Sequence, residues 1–492
     1  MYFSLDELGS GRQPRAGFFV KHFDKMNIRY SLTGLLGTGV ALSGQIACAR
    51  EAAPSARENA RPNILIIYTD DMGVGDVSFL NDGWVETPNI DRLTRNGVVV
   101  ENYYTAAPVS SPSRAAITTG IFPLELGINT FLHTRKHNDD CEQNDYLDPA
   151  FPSMARAFQA AGYRTAHIGK WHMGGGRDVD DAPQITRYGF DEYLTTYEGP
   201  DPDPAITATD WIWSPKDSVK RWQRTEYFVD KSLEFMARNR DRAFFLNLWP
   251  DDMHTPYVPN AQVQQEDKTW SMPRNFKAVL AEYDRQIGRL LDGMEALGLD
   301  RNTIVVFTSD NGPMPYYERQ RTNNLRSMKC SLYEGGIRMP FVVRWPARIP
   351  KGKIDRQSVV CSVDLFPSLC TLAGVSTPEG VAFSGEDMSS VLLGTPRART
   401  TDLMWEFGRN DFFYRHPVVE NNSPHLAIRR GEMKLLINSF DDRVELYDMR
   451  RDPYETRNLA EKYPELVEEL RSRVIHWWNN RLPAGNAATP KN

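Results

Sequence analysis

The chain contains little cysteine and lacks the spacing of a thiolate metal site. Its 492 residues include five cysteines and nine histidines, and no two cysteines form a Cys-X-X-Cys pattern. This excludes the common zinc-finger and zinc-ribbon arrangements. Cys361 and Cys370 are the nearest pair. They are interpreted as small core residues, with one disulfide as the alternative.

Positive charge is not in excess either. The formal net charge is −6, which argues against a broad nucleic-acid-binding surface. Recognition of an anion would therefore need a local basic pocket. After residue 50 no apolar stretch is long enough to predict a transmembrane helix.

The first 49 residues have the pattern of an export signal. Basic Lys21, Lys25 and Arg29 precede the small, apolar stretch Ser31–Gly44, and Ala47-Cys48-Ala49 resembles a cleavage site. This predicts export. A lipid anchor at Cys48 is the less favoured alternative.

The apolar pattern predicts an α/β protein with a smaller C-terminal part. Residues 50–61 form a polar linker, 62–395 a catalytic domain and 396–492 a C-terminal subdomain. Five continuous apolar runs are typical of strands buried on both faces: Asn63–Thr69, Arg164–Ile168, Ala243–Trp249, Thr303–Thr308 and Phe341–Trp345. Helical patterns between them, such as the apolar stripe from Phe276 to Met294, favour a large, mostly parallel, doubly wound sheet flanked by helices.

In the C-terminal subdomain, Leu426–Ser439 and Arg443–Met449 are typical of strands in a small antiparallel sheet. Pro464–Trp478 is typical of a terminal amphipathic helix.

A possible nucleophile precedes a predicted short helix. Ala115–Gly120 has a helical pattern in which Ser111 suits the N-cap, Pro112 the first turn and Gly120 the C-terminal stop. Ser110 would then lie just outside the helix N-terminus, where backbone N–H groups favour an anion.

Polar residues follow four of the five predicted strands. In an open α/β sheet, ligands bind outside the carboxyl ends of the strands, so these residues would converge. Each has a simpler interpretation as a cap, turn or surface residue. Their coincidence at one sheet edge favours a site. The oxygen ligands Asp70, Asp71, Asp310 and Asn311 suit Ca²⁺ or Mg²⁺. The donors Arg114, Lys170, His172, His254 and Lys329 can surround a tetrahedral oxyanion, so the set describes sulfuryl or phosphoryl transfer.

From Arg61 to Ala460 the chain resembles the type I sulfatases, the formylglycine-dependent family of the alkaline phosphatase superfamily. The motifs occur in family order: Asp70-Asp71-Met72-Gly73, Thr87–Leu93, Ser110–Arg114, Gly169-Lys170-Trp171-His172, His254-Thr255-Pro256, Thr308–Gly312, Lys329, Glu334–Pro340 and Glu445–Asp448.

The resemblance implies a role for each matching residue. Asp70, Asp71, Asp310 and Asn311, with Ser110, would bind one calcium ion. Ser110 would be oxidised to formylglycine, an aldehyde whose hydrate provides one hydroxyl to attack sulfur and a second to expel sulfate. Arg114 and Lys170 would stabilise that residue, and His172 would accept its proton. His254 and Lys329 would hold the sulfate and protonate the leaving alcohol.

Three departures from the family pattern affect these expectations. Many relatives have cysteine in place of Ser110, so maturation here needs a serine-type sulfatase maturase. Bacteria have such enzymes, which fits an exported protein of the periplasm or cell surface. Ser327 stands where glycine is frequent. Asp251 and Asp252 precede His254, so a substrate role for either stays open.

The sequence analysis favours an exported sulfatase acting on sulfated carbohydrates. Candidate substrate loops are Trp211–Trp213, Tyr316–Asn324 and Trp405–His416, whose aromatic rings can stack on sugars. The alternative is a phosphomonoester or phosphodiester hydrolase using unmodified Ser110, although the nine histidines do not form a second metal site. A third hypothesis is an inactive carbohydrate-binding relative.

Overall fold

The computed structural model describes residues 61–207, 216–260, 273–439 and 442–480. The predicted export signal, most of the linker, Cys48, the loop Trp211–Trp213 and the last residues lie outside this range. Among the described helices, none is long and apolar enough to cross a membrane.

The described part contains an eight-stranded sheet and a four-stranded sheet. The strands are β1 (Asn63–Thr69), β2 (Gly97–Tyr104), β3 (Arg164–Gly169), β4 (Glu192–Thr195), β5 (Phe244–Trp249), β6 (Thr303–Ser309), β7 (Val342–Arg344), β8 (Lys353–Cys361), β9 (Leu403–Glu406), β10 (Leu426–Arg430), β11 (Met433–Ile437) and β12 (Val444–Asp448). The α-helices are α1 (Ser110–Thr119), α2 (Pro123–Leu126), α3 (Arg135–Asp140), α4 (Met154–Ala160), α5 (Arg224–Arg238), α6 (Phe276–Ala296), α7 (Glu334–Ile337), α8 (Leu365–Ala373), α9 (Ser389–Leu392) and α10 (Pro464–Asn479).

The large sheet is mostly parallel, as predicted. Its order is β4-β3-β5-β1-β6-β7-β2-β8. Only β7 runs antiparallel to its neighbours β6 and β2, so the expectation of a parallel direction was wrong for Phe341–Trp345. An apolar run indicates burial on both faces but not strand direction.

Both faces of the large sheet are buried. Successive side chains of a strand point to opposite faces, and in β1 Ile64 and Ile66 enter one core cluster while Leu65 and Ile67 enter another. Helices α4 and α8 pack on the first face, and α5 and α6 on the second. This doubly wound arrangement confirms the predicted fold class. The eight apolar residues of the predicted α6 stripe are all buried.

The small sheet has the order β12-β11-β10-β9 and is antiparallel throughout. The predicted strand Leu426–Ser439 is a hairpin, in which Gly431 turns the chain with a φ of 57°. Helix α10 packs on this sheet through Leu470 and Val474. Cys361 and Cys370 are free and buried, which confirms their interpretation as core residues.

Candidate active site

The carboxyl ends of β1 and β6 place three carboxylates together. Asp70 and Asp71 follow β1, Asp310 follows β6, and β1 and β6 are adjacent and parallel. The three side chains are buried, and each offers an oxygen within 4.8 Å of the others. Asn311 lies beside them, with its amide nitrogen 2.7 Å from Oδ1 of Asp71. Asp71 has a left-handed φ of 57°.

The three carboxylates repel one another in a buried space. Burial and the neighbouring Asp70 and Asp71 raise the pKa of Asp310 to about 6, although Arg114 opposes the shift. Carboxylate and amide oxygens are the ligands that Ca²⁺ and Mg²⁺ prefer. A divalent cation would also offset the repulsion that the geometry creates. The donor set therefore fits such an ion.

Ser110 stands at the edge of this cluster. Its Oγ donates to Oδ1 of Asp70 at 3.1 Å and lies 3.4 Å from the amide oxygen of Asn311. The predicted helix start was wrong: α1 begins at Ser110 after the N-cap Val109, so Ser110 lies in its first turn. Gly120 ends the helix with a φ of 73°, as predicted. Ser110 is 2% exposed, so the surrounding protein excludes bulk water from its hydroxyl.

Two buried cations hold the carboxylates in place. Nη2 of Arg114 lies 2.7 Å from Oδ2 of Asp310 and 3.5 Å from Oδ1 of Asp70. Nζ of Lys170 lies 2.9 Å from Oδ2 of Asp70. Burial opposes ionisation of Asp70, but Lys170, His254 and Arg114 together keep its pKa well below the usual range. Asp70 is therefore ionised at neutral pH.

Glu198 joins Lys170 and His172. Its carboxylate lies 3.3 Å from Nζ of Lys170 and 3.5 Å from Nδ1 of His172. Nε2 of His172 lies 3.1 Å from the carbonyl oxygen of Leu132. Burial lowers the pKa of His172 to about 3, although Glu198 opposes the shift. The imidazole is therefore neutral at physiological pH.

His254 and Lys329 lie on the Asp71 side of the cluster. Nζ of Lys329 lies 2.6 Å from Oδ1 of Asp71, and Nε2 of His254 lies 3.8 Å from Oδ2 of Asp71. Burial lowers the pKa of His254, with Asp71 opposing. The side chains of Lys329 and His254 are 12% and 27% exposed. They border the opening of the site, where a substrate would enter.

Asp251 and Asp252 are bound to other residues rather than facing the opening. Oδ2 of Asp251 lies 2.7 Å from Arg221 and 2.8 Å from Arg224. Oδ2 of Asp252 accepts a hydrogen bond from Oγ1 of Thr225 at 2.5 Å. The contacts favour a structural role that fixes the loop before His254.

Ser327 has a left-handed φ of 60°, which explains the frequent glycine at this position, since glycine adopts it without a Cβ penalty. Oγ of Ser327 donates to the carbonyl of Asn421 at 2.9 Å. This hydrogen bond offsets part of the conformational cost.

Both candidate substrate loops that the structure describes place an aromatic residue on the surface. Tyr316 is 36% exposed and Tyr414 is 47% exposed. Burial raises the pKa of Tyr414, and the charges of Lys329, Tyr316 and Asp71 also affect it. Tyr414 therefore lies near the site. Trp405 is buried and donates to the carbonyl of Thr105, which makes it a core residue.

The sequence analysis missed Glu198 and the buried Arg321. Glu198 follows β4, a four-residue edge strand that was not predicted, so the strand-end rule was never applied to it. Arg321 pairs with Asp76 at 2.8 Å and donates to the carbonyl of Asp71 at 2.8 Å. The only indication of Arg321 in the sequence was that it is a charged residue within a candidate substrate loop.

Comparison with known families matches both parts of the chain. Residues 62–375 match the sequence model of the Sulfatase family. Residues 328–479 match the model described as N-sulphoglucosamine sulphohydrolase, C-terminal.

Individual relatives are similar over most of the chain. An N-acetylgalactosamine-6-O-sulfatase of Bacteroides thetaiotaomicron is 28% identical, over 85% of this chain and 93% of the relative. A steryl-sulfatase of Mus musculus is 28% identical, over 87% and 83%. A solved structure from work on the metabolism of multiple glycosaminoglycans by Bacteroides thetaiotaomicron has a TM-score of 0.70 and 26% identity, over 85% of this chain and 100% of that chain.

Proposed function

The chain belongs to the sulfatase family, the formylglycine-dependent sulfatases of the alkaline phosphatase superfamily, and we propose that it hydrolyses sulfate esters of carbohydrates through Ser110. The enzyme class, sulfuric ester hydrolase, follows from that membership. The observation that carries the proposal about Ser110 is its place 3.1 Å from Asp70, between three buried carboxylates and the surrounding cations.

We assign Asp70, Asp71, Asp310, Asn311 and Ser110 to one calcium ion. Their oxygens are hard ligands, and the cluster is buried. When bound, the ion would polarise oxygen atoms of the sulfate and of residue 110. Arg114 and Lys170 contact the same carboxylates and keep them oriented.

Oxidation of Ser110 to formylglycine would make turnover repeatable. The hydrated aldehyde supplies a second hydroxyl that serine lacks, so the residue is regenerated after each cycle. A serine-type maturase would catalyse this two-electron oxidation and pass the two hydrogens removed from Ser110, as electrons and protons, to an electron acceptor.

The remaining polar residues divide the proton transfers. We assign His172 as the proton acceptor on the Lys170 side, where the carboxylate of Glu198, 3.5 Å from its Nδ1, would stabilise the imidazolium. His254 and Lys329 lie on the other side, at the opening, where they can donate to the leaving alcohol and hold sulfate oxygens.

A carbohydrate substrate is supported by the bacterial N-acetylgalactosamine-6-O-sulfatase relative and by Tyr316 and Tyr414 at the surface. The steryl-sulfatase relative has the same 28% identity to this chain. Steryl sulfate is therefore the substrate against which the carbohydrate assignment is tested. Export to the periplasm or cell surface, proposed from residues 1–49, would bring the enzyme to extracellular glycans.

The test compares sulfate release from N-acetylgalactosamine 6-sulfate, steryl sulfate and p-nitrophenyl sulfate, and phosphate release from p-nitrophenyl phosphate, with added calcium or zinc. We expect calcium-dependent release from the sulfated sugar and little phosphate release. Lys170→Ala should abolish sulfate release with an unchanged circular dichroism spectrum. Preference for p-nitrophenyl phosphate with zinc would support the phosphoester alternative, and preference for steryl sulfate would overturn the carbohydrate assignment.

A further inference from the structure

A glycine-rich loop beside the candidate site has an unusual backbone. Gly174, Gly175, Gly176 and Arg177 all have left-handed φ values, of 117°, 91°, 77° and 54°. Glycine tolerates this region, whereas the Cβ of Arg177 makes it unfavourable. Such strain persists where the surrounding structure enforces it, and it clusters at ligand-binding sites.

The loop packs closely on residues 197–200. A Cβ added at Gly175 would lie 2.5 Å from the backbone nitrogen of Pro200, and one at Gly176 would lie 2.5 Å from the carbonyl oxygen of Tyr197. Side chains at these positions would push the loop away. The glycines therefore allow the approach that brings Arg177 next to Glu198.

Arg177 reaches the same carboxylate as Lys170. Its Nη2 lies 3.4 Å from Oε1 of Glu198, while Nζ of Lys170 lies 3.3 Å from Oε2. The guanidinium carbon lies 5.7 Å from the ring centroid of Tyr197. The side chain of Arg177 is 21% exposed, against 5% for Lys170 and 10% for Glu198. Arg177 is thus the outermost member of a chain of contacts that begins at Asp70.

Asp70 and Glu198 balance the charges of Lys170 and Arg177 along this chain of contacts. Lys170 lies between the two carboxylates, whereas Arg177 stands at the exposed end and contacts Glu198 at the longer distance of 3.4 Å. The acidic residue next in sequence, Asp178, accepts a hydrogen bond from the backbone nitrogen of Arg135 at 3.0 Å. The guanidinium of Arg177 is therefore the cation of this chain of contacts that a further anionic group can reach from solvent.

A group of ring side chains lies on the Arg177 side of the site. The rings of Phe131 and His137 stack with centroids 4.8 Å apart, and His133 lies 5.5 Å from His137. Between them in sequence, Leu132 contacts His172 through its carbonyl. Burial and Arg177 lower the pKa of His133 to about 4, so this imidazole is a neutral hydrogen-bonding group beside the cation.

We propose that Arg177, with His133 beside it, forms a subsite for a second anionic group of the substrate, a carboxylate or a sulfate. The planar guanidinium presents paired donors that match either oxyanion. The group would lie next to the scissile sulfate, on the same sugar or its neighbour. This proposal rests on the assignment of a saccharide substrate above and narrows it to multiply charged saccharides.

The test is a selectivity ratio measured with the full-length, matured enzyme. The substrates are N-acetylgalactosamine 6-sulfate, the 4,6-disulfated sugar, and the 6-sulfated sugar linked to a uronate. We expect wild-type kcat/KM to be higher for one or both doubly anionic substrates, mainly through KM. In Arg177→Ala the preference should fall about tenfold or more. Arg177→Lys should retain part of it, because charge remains without the planar fork.

The two doubly charged substrates distinguish the source of the anion, since preference for the disulfated sugar indicates sulfate and preference for the uronate indicates carboxylate. As a control, Lys170→Ala should lower turnover of all three alike. Equal wild-type kcat/KM for all three substrates would overturn the subsite, as would an equal loss for all three in Arg177→Ala, which would indicate a structural role. Turnover of steryl sulfate without any saccharide turnover would overturn the proposed function as well.

Discussion

The two sides of the candidate active site are built in different ways. The strand-end side consists of Asp70, Ser110, Arg114, Lys170 and Asp310. Its side chains are at most about 5% exposed. They are positioned by β1, β3 and β6 of the large sheet and by helix α1. The loop side consists of His254 and Lys329, which are more exposed and follow no strand directly.

The segment before Lys329, on the loop side, contacts the small sheet. Nη1 of Arg326, three residues before Lys329, lies 2.9 Å from the hydroxyl of Tyr447 and 3.3 Å from Glu445. Its guanidinium stacks on Tyr333, with the central carbon 3.6 Å from the ring centroid. Buried Lys434 joins Glu334 to Glu455 at 2.9 Å each. The proposed nucleophile and metal ligands are thus positioned by the large sheet and α1, whereas the segment that carries Lys329 also depends on contact with the small sheet.

The largest effect is expected on the strand-end side. Ser110→Ala removes the oxygen that is proposed to attack sulfur, so kcat/KM should fall by at least about 10⁴-fold with the protein still folded. Sulfate release measures the activity, and circular dichroism measures whether the protein is folded. Retention of more than a tenth of the activity in a folded protein would contradict the role of Ser110.

On the loop side, the effect should depend on the leaving group. His254→Ala should reduce turnover of a sugar sulfate by about 10²-fold or more, because an alcohol needs a proton to leave. Turnover of p-nitrophenyl sulfate should fall less, since nitrophenolate is stable without one. The measurement is kcat/KM for both substrates, and equal losses would argue against proton donation by His254.

The link between the sheets should give a smaller, coupled effect. Arg326→Met removes hydrogen bonds that hold the Lys329 loop, and about a tenfold loss of kcat/KM is expected, with Arg326→Lys recovering part of it. A double-mutant cycle with Lys329→Ala tests the connection. If Arg326 acts through Lys329, its substitution should have little further effect once Lys329 is alanine. Additive losses would show that Arg326 acts elsewhere.

The smallest effect concerns stability and pH. Burial and Glu334 raise the pKa of Glu455 to about 7, although Lys434 opposes the shift. An acid with a raised pKa in the folded state stabilises the fold below its unfolded pKa, and that contribution is lost as pH rises to the folded value. This carboxyl should therefore contribute a decline in Tm between about pH 4.5 and 7. Glu455→Gln should flatten this decline, whereas exposed Glu432→Gln should not. An unchanged slope in Glu455→Gln would exclude this carboxyl as the cause.

A similar difference, between fully buried and partly exposed strands, explains which strands could be predicted from the sequence. Asn63–Thr69 and Thr303–Thr308 were predicted within a residue of β1 and β6, because a strand buried on both faces is a continuous apolar run. The strands β2, β4, β8 and β9 were not predicted. In β2 the polar Glu101 and Asn102 interrupt the apolar residues, and β9 has only four residues. β4 has four residues at a sheet edge, and β8 begins with mostly exposed polar residues, so neither presents such a run.

Asp70, Lys170 and Asp310 could be inferred because each closely follows a predicted strand, whereas Ser110 and Arg114 were found from the pattern at the start of a predicted helix. Glu198 was missed together with its strand. The conformation of the Lys329 loop could not be inferred, because hydrogen bonds to residues about a hundred positions later fix it, including the one that Ser327 donates to Asn421. The left-handed backbone at Asp71, Arg177 and Ser327 has no signal in a single sequence either.

The most direct test of the account is the mass of the peptide that contains Ser110, taken from active enzyme purified from its native host. Oxidation to formylglycine predicts a peptide about two hydrogens lighter than the encoded one, at a level that rises in proportion to sulfatase activity across preparations. Full activity with only unmodified serine at position 110 would contradict the proposed mechanism.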